Sequence, residues 1–219
     1  MADLRMFFGQ IAAGQDLAAL KQFAQANPGL GIYPASLHEA GGTVLFMVKT
    51  ATEKKLVAVK DDGPVFAELT GEERTEEGLK VKTCGLTVEN SLVIRKYFPF
   101  TNPCSLANER TTFGVGDRLG VASPGHLRLF KEHPNVRPVL AQQSVRELTL
   151  TGRDFRGVLA AAVWAVFQED YRLGYGADGD HLKALADIQT ALAEGYTMIT
   201  LDCSEHINNP RPDQQAEID

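Results

Sequence analysis

Two short clusters near the carboxyl end hold the residue types best suited to chemistry. GYGADGDHLK carries Asp178, Asp180 and His181, and GYTMITLDCSEHI carries Asp202, Glu205 and His206. In the Asp180-His181 pair a neutral imidazole can ligate a divalent transition metal, while the adjoining carboxylate takes a proton whose loss the metal has eased. A structural reading also stands: Asp180 caps a following helix and His181 packs in its first turn. Glu205-His206 repeats the arrangement as a further ligand, a group that orients a ligand, a proton carrier, or none of these. Asp178 and Asp202 point either into the interior of the fold or toward the site, and the sequence does not choose between them.

Such clusters need rigid elements to place them. Each follows an apolar segment, and between them Leu182, Leu185, Ile188 and Leu192 recur at three- and four-residue intervals, as one face of a helix requires. The unit reads strand, helix, strand, with the clusters at the carboxyl ends, where parallel α/β sheets and barrels place their ligands. The same grammar begins near Thr111. TTFGVGD reads as a strand, and SPGHLRLFKEH as a helix with Ser123 as N-cap and Pro124 at the first helical position. RPVLAQQ is the next strand. DFRGVLAAAVWAVFQEDYRLG is a long helix whose apolar side carries Phe155, Leu159, Val163, Val166 and Phe167, with Trp164 and Phe167 as core residues.

The strands centre near residues 114, 140, 176 and 199, and crossover helices between them imply parallel pairing. Four βα units are half of an eightfold barrel, which takes about 250 residues. The expected fold class is therefore α/β: a small α+β module over residues 1–105, then four βα units over residues 106–219, read either as a four-stranded open sheet or as the first four units of a TIM-barrel-like fold, a partial barrel.

Other strand ends offer candidate binding groups. Gly114, Gly116 and Gly120 are spaced GxGxxxG, not GxGxxG, and the next strand ends in Gln142-Gln143 where a ribose-binding acid would stand, so a dinucleotide site is disfavoured. The turn presents Asp117 and Arg118, with Arg118 able to clamp a substrate carboxylate; equally, the two residues can pair and close the turn. Gln142, Gln143, Ser144 and Arg146 follow the second strand. Their amides and hydroxyl suit a polyhydroxylated ligand, or else cap the next helix.

The first hundred residues show no catalytic constellation. Asp16 to Gln25 has helical spacing, TVLFMVKT and KKLVAVKDDG form a hairpin, LTGEERTEEGLK is an exposed loop or short helix, VKTCGLTV is a strand and SLVIRKYF a short helix. His38 and the hairpin lysines read as solvated surface. Across all 219 residues a 44% hydrophobic content supports a real core, and a net charge of −6 without a basic block argues against nucleic acid or an anionic membrane as partner. No stretch has the roughly 18 apolar residues of a membrane span, and the amino terminus is a poor signal peptide, so a cytoplasmic location is expected. Cys84, Cys104 and Cys203 lack CxxC spacing and are read as reduced, structural thiols.

The series FGVGDRLGVASPGHLR, PVLAQQSVREL with TGR, VFQEDYRLGYGADGDHLK and GYTMITLDCSEHI resembles the amino-terminal half of the tagaturonate epimerase family, densely from about Arg110 to Ile207. The resemblance implies a divalent-metal-dependent isomerase that interconverts D-tagaturonate and D-fructuronate on a barrel-like scaffold, with Asp180 as proton acceptor and His181 as first metal ligand. It also implies that the proton donor and the remaining ligands lie in a carboxyl-terminal portion that this chain lacks. The chain would then work with a complementary half or by self-association. The two ketouronates differ at the carbon β to the ketone, which a single enolisation cannot invert and a retro-aldol step can. Another metal-dependent sugar-acid aldolase or isomerase, and a non-catalytic sugar-acid-binding fragment, are the alternative readings.

Overall fold

Alternation of side chains along two apolar strands explains how the amino-terminal segment buries so much surface. The computed structural model describes residues 4–60 and 63–207, except the side chain of His206. Helices α1 (Arg5–Ala12) and α2 (Leu17–Ala26) come first, and Asp16 opens α2 by accepting a hydrogen bond from the Ala19 N–H at 2.8 Å. After the short β1 (His38–Ala40), strands β2 (Thr43–Lys49) and β3 (Lys54–Val59) form the expected antiparallel hairpin. Val44, Phe46, Val48, Val57 and Val59 pack with α1 and α2, whereas Leu45, Met47, Leu56 and Ala58 face the opposite side. Both faces of this sheet are covered, hence the nearly continuous apolar runs.

Helix α3 (Pro64–Glu68), β4 (Gly71–Glu76), β5 (Leu79–Cys84) and α4 (Val88–Tyr97) follow, giving a five-stranded sheet of order β1-β2-β3-β5-β4. The segment expected to be a loop or short helix thus contains a strand. As the outermost strand, β4 has side chains largely in solvent and lacks the apolar alternation that marks a strand. The available signal was Glu77-Gly78, whose φ values of 49° and 75° make the tight turn into β5.

The second sheet is parallel throughout. Its chain order is β6 (Thr112–Gly116), α5 (Ser123–Glu132), β7 (Arg137–Gln142), α6 (Val145–Thr151), α7 (Phe155–Glu169), β8 (Gly176–Leu182), α8 (Leu185–Glu194) and β9 (Met198–Leu201), and the strands lie side by side in sequence order. Two expectations are corrected. Asp178, Asp180 and His181 belong to β8 itself, whose centre lies near residue 179, and Leu182 is a strand residue. In α8 the fully buried residue is Ala191 and Ile188 packs against the same core, while Leu185 and Leu192 are exposed, so the expected apolar face is only partly covered by the described residues.

Helix α7 holds the two sheets together. Twelve of its fifteen residues are buried, an all-round burial that needs packing layers on both sides. Phe155, Val158, Leu159, Ala162, Ala165 and Val166 join the core beneath the parallel sheet; Ala160, Val163, Trp164 and Phe167 join Leu45, Met47, Leu56 and Ala58 of the antiparallel one. Trp164 and Phe167 are core residues, as expected. The three cysteines are free, Cys84 buried and Cys104 and Cys203 exposed, so only Cys84 fits the structural role foreseen for all three. Among the described residues no helix is long and apolar enough to cross a membrane.

His38 is not solvated surface. It is buried at this junction, stacked among Phe98, Phe100 and Phe167 with its Nε2 3.4 Å from the Phe167 carbonyl oxygen. Burial is the largest influence on it and lowers its pKa to about 4, against the smaller raising effects of the Asp170 charge and the Phe167 carbonyl, with Lys21 and Arg172 adding to the lowering. The unfolded chain, with an ordinary histidine pKa near 6.5, binds the proton first as pH falls. Stability should therefore drop by about 1 kcal/mol per pH unit between roughly pH 6.5 and pH 4. Denaturant titrations over this range should show that slope in the wild type and a shallower one in His38→Phe; equal slopes would assign the effect to other groups.

Candidate active site at the carboxyl ends of the parallel strands

Two irregular strand ends aim the polar side chains. On β7 and β8 one residue each, Ala141 and His181, has φ of 55°, in the left-handed region that residues with a Cβ rarely adopt. The pairing register slips at the same places, from Gly114↔Val139 to Gly116↔Gln142 and from Gly179↔Ile199 to Leu182↔Leu201. Each slip is an extra residue, a bulge of the kind that re-aims side chains beside active sites. Gln142 is turned over Gly114, where a Cβ would stand only 2.6 Å from its Oε1. This close approach is the role of the glycine in the FGVG stretch.

Asp178 is fully buried and joins three strands. Its Oδ2 accepts hydrogen bonds from Gln142 Nε2 at 3.1 Å and Thr200 Oγ1 at 2.7 Å, and its Oδ1 accepts from the Thr200 N–H at 2.9 Å. It is therefore an interior residue, the first of its two sequence alternatives. Thr200, which sequence reasoning did not single out, supplies two of the three donors.

Asp180, on the same side of β8, lines an open depression of about 590 Å³ together with Asp117, Arg118, Gln142 and Glu147. Its Oδ1 lies 2.6 Å from Nδ1 of His181, whose ring is 62% exposed. The hydrogen bond to Asp180, followed by the Asp180 charge, raises the His181 pKa. Asp180 does not cap α8, and His181 precedes that helix, so the structural reading of this pair fails.

The loop after β6 departs from both of its readings. Asp117 does not pair with Arg118; it accepts hydrogen bonds from the N–H groups of Val121, Ala122 and Ser123 and from Ser123 Oγ, at 2.7–2.9 Å. Burial pushes its carboxyl up, but the Ser123, Ala122 and Val121 donors outweigh this and hold its pKa below the ordinary value. Asp117 thus takes the capping role assigned to Ser123, which is the first helical residue. Arg118 is ion-paired with Glu147.

Of the groups after β7, Gln143 is buried, donating to Thr151 Oγ1 at 3.0 Å and accepting from Arg153 Nη1 at 3.2 Å. It holds structure and does not reach the depression. Ser144 and Glu147 make a reciprocal cap at the start of α6. Arg146 is exposed on the first turn of that helix and does not line the depression. Arg153, missed by sequence reasoning, fastens the loop by donating to the carbonyl oxygens of Asp117, Arg118 and Gly157. A lone arginine after a helix-ending glycine carries no spacing signal for that role.

In the second cluster both acids meet Lys183. Lys183 Nζ lies 2.9 Å from Glu205 and 3.6 Å from Asp202, which also accepts from the Ser204 N–H. Glu205 is therefore engaged on the surface, and Asp202 points away from the interior. The side chain of His206 lies outside the described residues.

Fold and strand-end carboxylate–imidazole pair define a mixed α/β protein with an enzyme-like site, and comparison gives it a family. The tagaturonate epimerase family profile matches residues 33–218. The tagaturonate/fructuronate epimerase of Thermotoga maritima is 41% identical over 181 residues, 83% of this chain and 37% of that protein. Crystal structures of the fructuronate-tagaturonate epimerase UxaE from Cohnella laeviribosi superpose with TM-scores of 0.78 (native; 46% identity, 92% of this chain and 40% of that one) and 0.77 (two-glycerol complex; 49% identity, 88% and 38%). The chain belongs to the tagaturonate epimerase family. It spans only about two fifths of the length of these relatives.

The buried Asp178 yields a stability test. Asp178→Ala leaves the Gln142 amide and both Thr200 donors unmatched in the interior, which should destabilise the fold by about 2–4 kcal/mol. Urea unfolding measures this directly, and a loss under about 0.5 kcal/mol would remove Asp178 from its role as the tie between strands.

Proposed function

We propose that this chain forms the amino-terminal part of an epimerase interconverting D-tagaturonate and D-fructuronate, with Asp180 as the proton acceptor. The observation that carries the reading is the Asp180–His181 pair at a strand end, facing a polar depression, in a chain of this family. Four parallel strands in unbroken sequence order, the first three each followed by helix, support the finer reading that they are half of a barrel. So do the uncovered apolar side chains Phe113 on β6, Leu185 and Leu192 on α8, and Met198 and Leu201 on β9. A complementary carboxyl-terminal portion, or a second copy, would cover them and pair the open sheet edges. A cytoplasmic setting accords with this reading.

The chemistry follows from the groups present. Asp180 accepts the proton of the hydroxyl on the carbon β to the ketone; that carbon becomes an aldehyde as its bond to the α carbon breaks, and the electron pair passes into an enediolate. The aldehyde turns its other face, the carbon–carbon bond re-forms, and the alkoxide recovers its proton. Arg118, sharing Glu147, is placed to hold the substrate carboxylate, and Gln142 to hydrogen-bond a hydroxyl. Arg146 and Gln143 are not so placed.

For a divalent metal the donor set fits in part. His181 turns Nδ1 to Asp180 and leaves Nε2 for a ligand bond, an arrangement that fixes the ring. Among the described residues no group of three or more His, Cys, Asp or Glu could hold an ion, so of these residues His181 would be the ligand and the others would come from outside them. Such an ion would draw charge from the ketone oxygen and ease formation of the enediolate.

The test joins residues 1–207 to the carboxyl-terminal remainder of the Thermotoga maritima relative and follows conversion of D-tagaturonate to D-fructuronate. Asp180→Asn in that chimaera should lower kcat by about 10²–10⁴-fold. Near-unchanged turnover would end the role of Asp180, and accumulation of cleaved fragments in place of the epimer would make the enzyme an aldolase.

A further inference from the structure

A second concavity, of about 610 Å³, lies on the other side of the β6–α5 loop, between the turn joining β2 to β3 and the side of α7 that carries Ala161 and Trp164. Its walls are apolar, with Tyr33, Met47, Leu86, Val121, Ala161 and Trp164 among them. Its charged lining residues are Lys49, Glu53 and Lys54. The Glu53 carboxylate is already paired with Lys55 at 2.8 Å, so the balance of charge in the cavity is positive. Lys54 reaches in from the start of β3, donates one hydrogen bond to Gln168 Oε1 at 2.7 Å and passes 5.3 Å over the ring of Tyr33. An ammonium has three donors. Burial lowers the Lys54 pKa and outweighs the Glu169 charge, which raises it; Glu169 is itself taken up by Arg128 at 3.1 Å.

We infer that this cavity binds an amphipathic monocarboxylate, its apolar body against Trp164 and Ala161 and its carboxylate on Lys54. Size, a mainly apolar lining and a few placed polar groups, of which Lys54 is the half-buried charge, are the marks of a small-molecule site. A ketouronate suits it poorly, because most of its hydroxyls would lie against the apolar wall of Met47, Leu86, Ala161 and Trp164, where their hydrogen bonds to water are lost without replacement. The two concavities thus select opposite ligands, and the inference stands independently of the epimerase reading. Val121 borders both, so an occupant here touches the loop that carries Asp117 and Arg118.

Trp164 is the only tryptophan of the chain and lines the cavity, so its fluorescence reports occupancy directly. The 219-residue chain is titrated with octanoate and, as the uncharged control, octanamide. Octanoate should give a saturable change in Trp164 emission and bind more tightly than octanamide. Lys54→Met should weaken octanoate by about tenfold, the worth of a charge-assisted hydrogen bond, and leave octanamide unaffected. Lys54→Arg, which keeps the charge, should retain octanoate binding, and thermal unfolding verifies that both variants fold. The inference is overturned by any of three results: no saturable change, equal affinity for the acid and the amide in the wild type, or undiminished octanoate binding by Lys54→Met.

Discussion

The buried carboxylate of Asp178 is the interaction on which the strand-end architecture rests. It sits at full burial where three parallel strands converge, and its hydrogen bonds reach β7 through Gln142 and β9 through Thr200. A buried acid is tolerated only when donors surround it, and here the donors come from the neighbouring strands. Satisfying the acid therefore fixes the strands relative to one another. Asp180, two residues on, inherits its direction from that arrangement.

The two bulges convert this frame into a site. A regular strand would alternate Gln142 and Asp180 with their neighbours on a fixed two-residue beat; the left-handed residues Ala141 and His181 break it. Left-handed backbone at residues with a Cβ is held only where the surroundings impose it. At position 181 the imposed conformation carries an imidazole out to solvent while its Nδ1 stays on Asp180. Position and orientation are thus set by the backbone, not by side-chain choice alone.

What was legible in the sequence followed from period and punctuation. The hairpin, the four parallel strands and the helices between them were readable from period and turn signals, and the Asp180–His181 pair because two chemically potent residues stand together. Strand β4 was hidden because an outer strand in solvent needs no apolar alternation. His38 was misjudged because a neutral imidazole packed among aromatic rings leaves no local signature. The roles of Asp117, Arg118 and Gln143 depended on partners up to 29 residues away, Glu147 for Arg118 being the clearest case. Asp202 and Glu205 were drawn off by Lys183, a residue whose charge says nothing in advance about which acid it will meet.

Helix α7 has a consequence for the birth of the protein. The face of the antiparallel sheet made by Leu45, Met47, Leu56 and Ala58 is completed by Ala160, Val163, Trp164 and Phe167, more than a hundred residues later. Val65, Phe66, Ile94 and Phe98 cover part of it first, but a chain emerging amino terminus first, at about 5–20 residues per second, leaves the remainder open for several seconds before α7 exists. The first sheet is thus a dependent of the second segment during synthesis, and the interval is one in which a holding chaperone has something to grip.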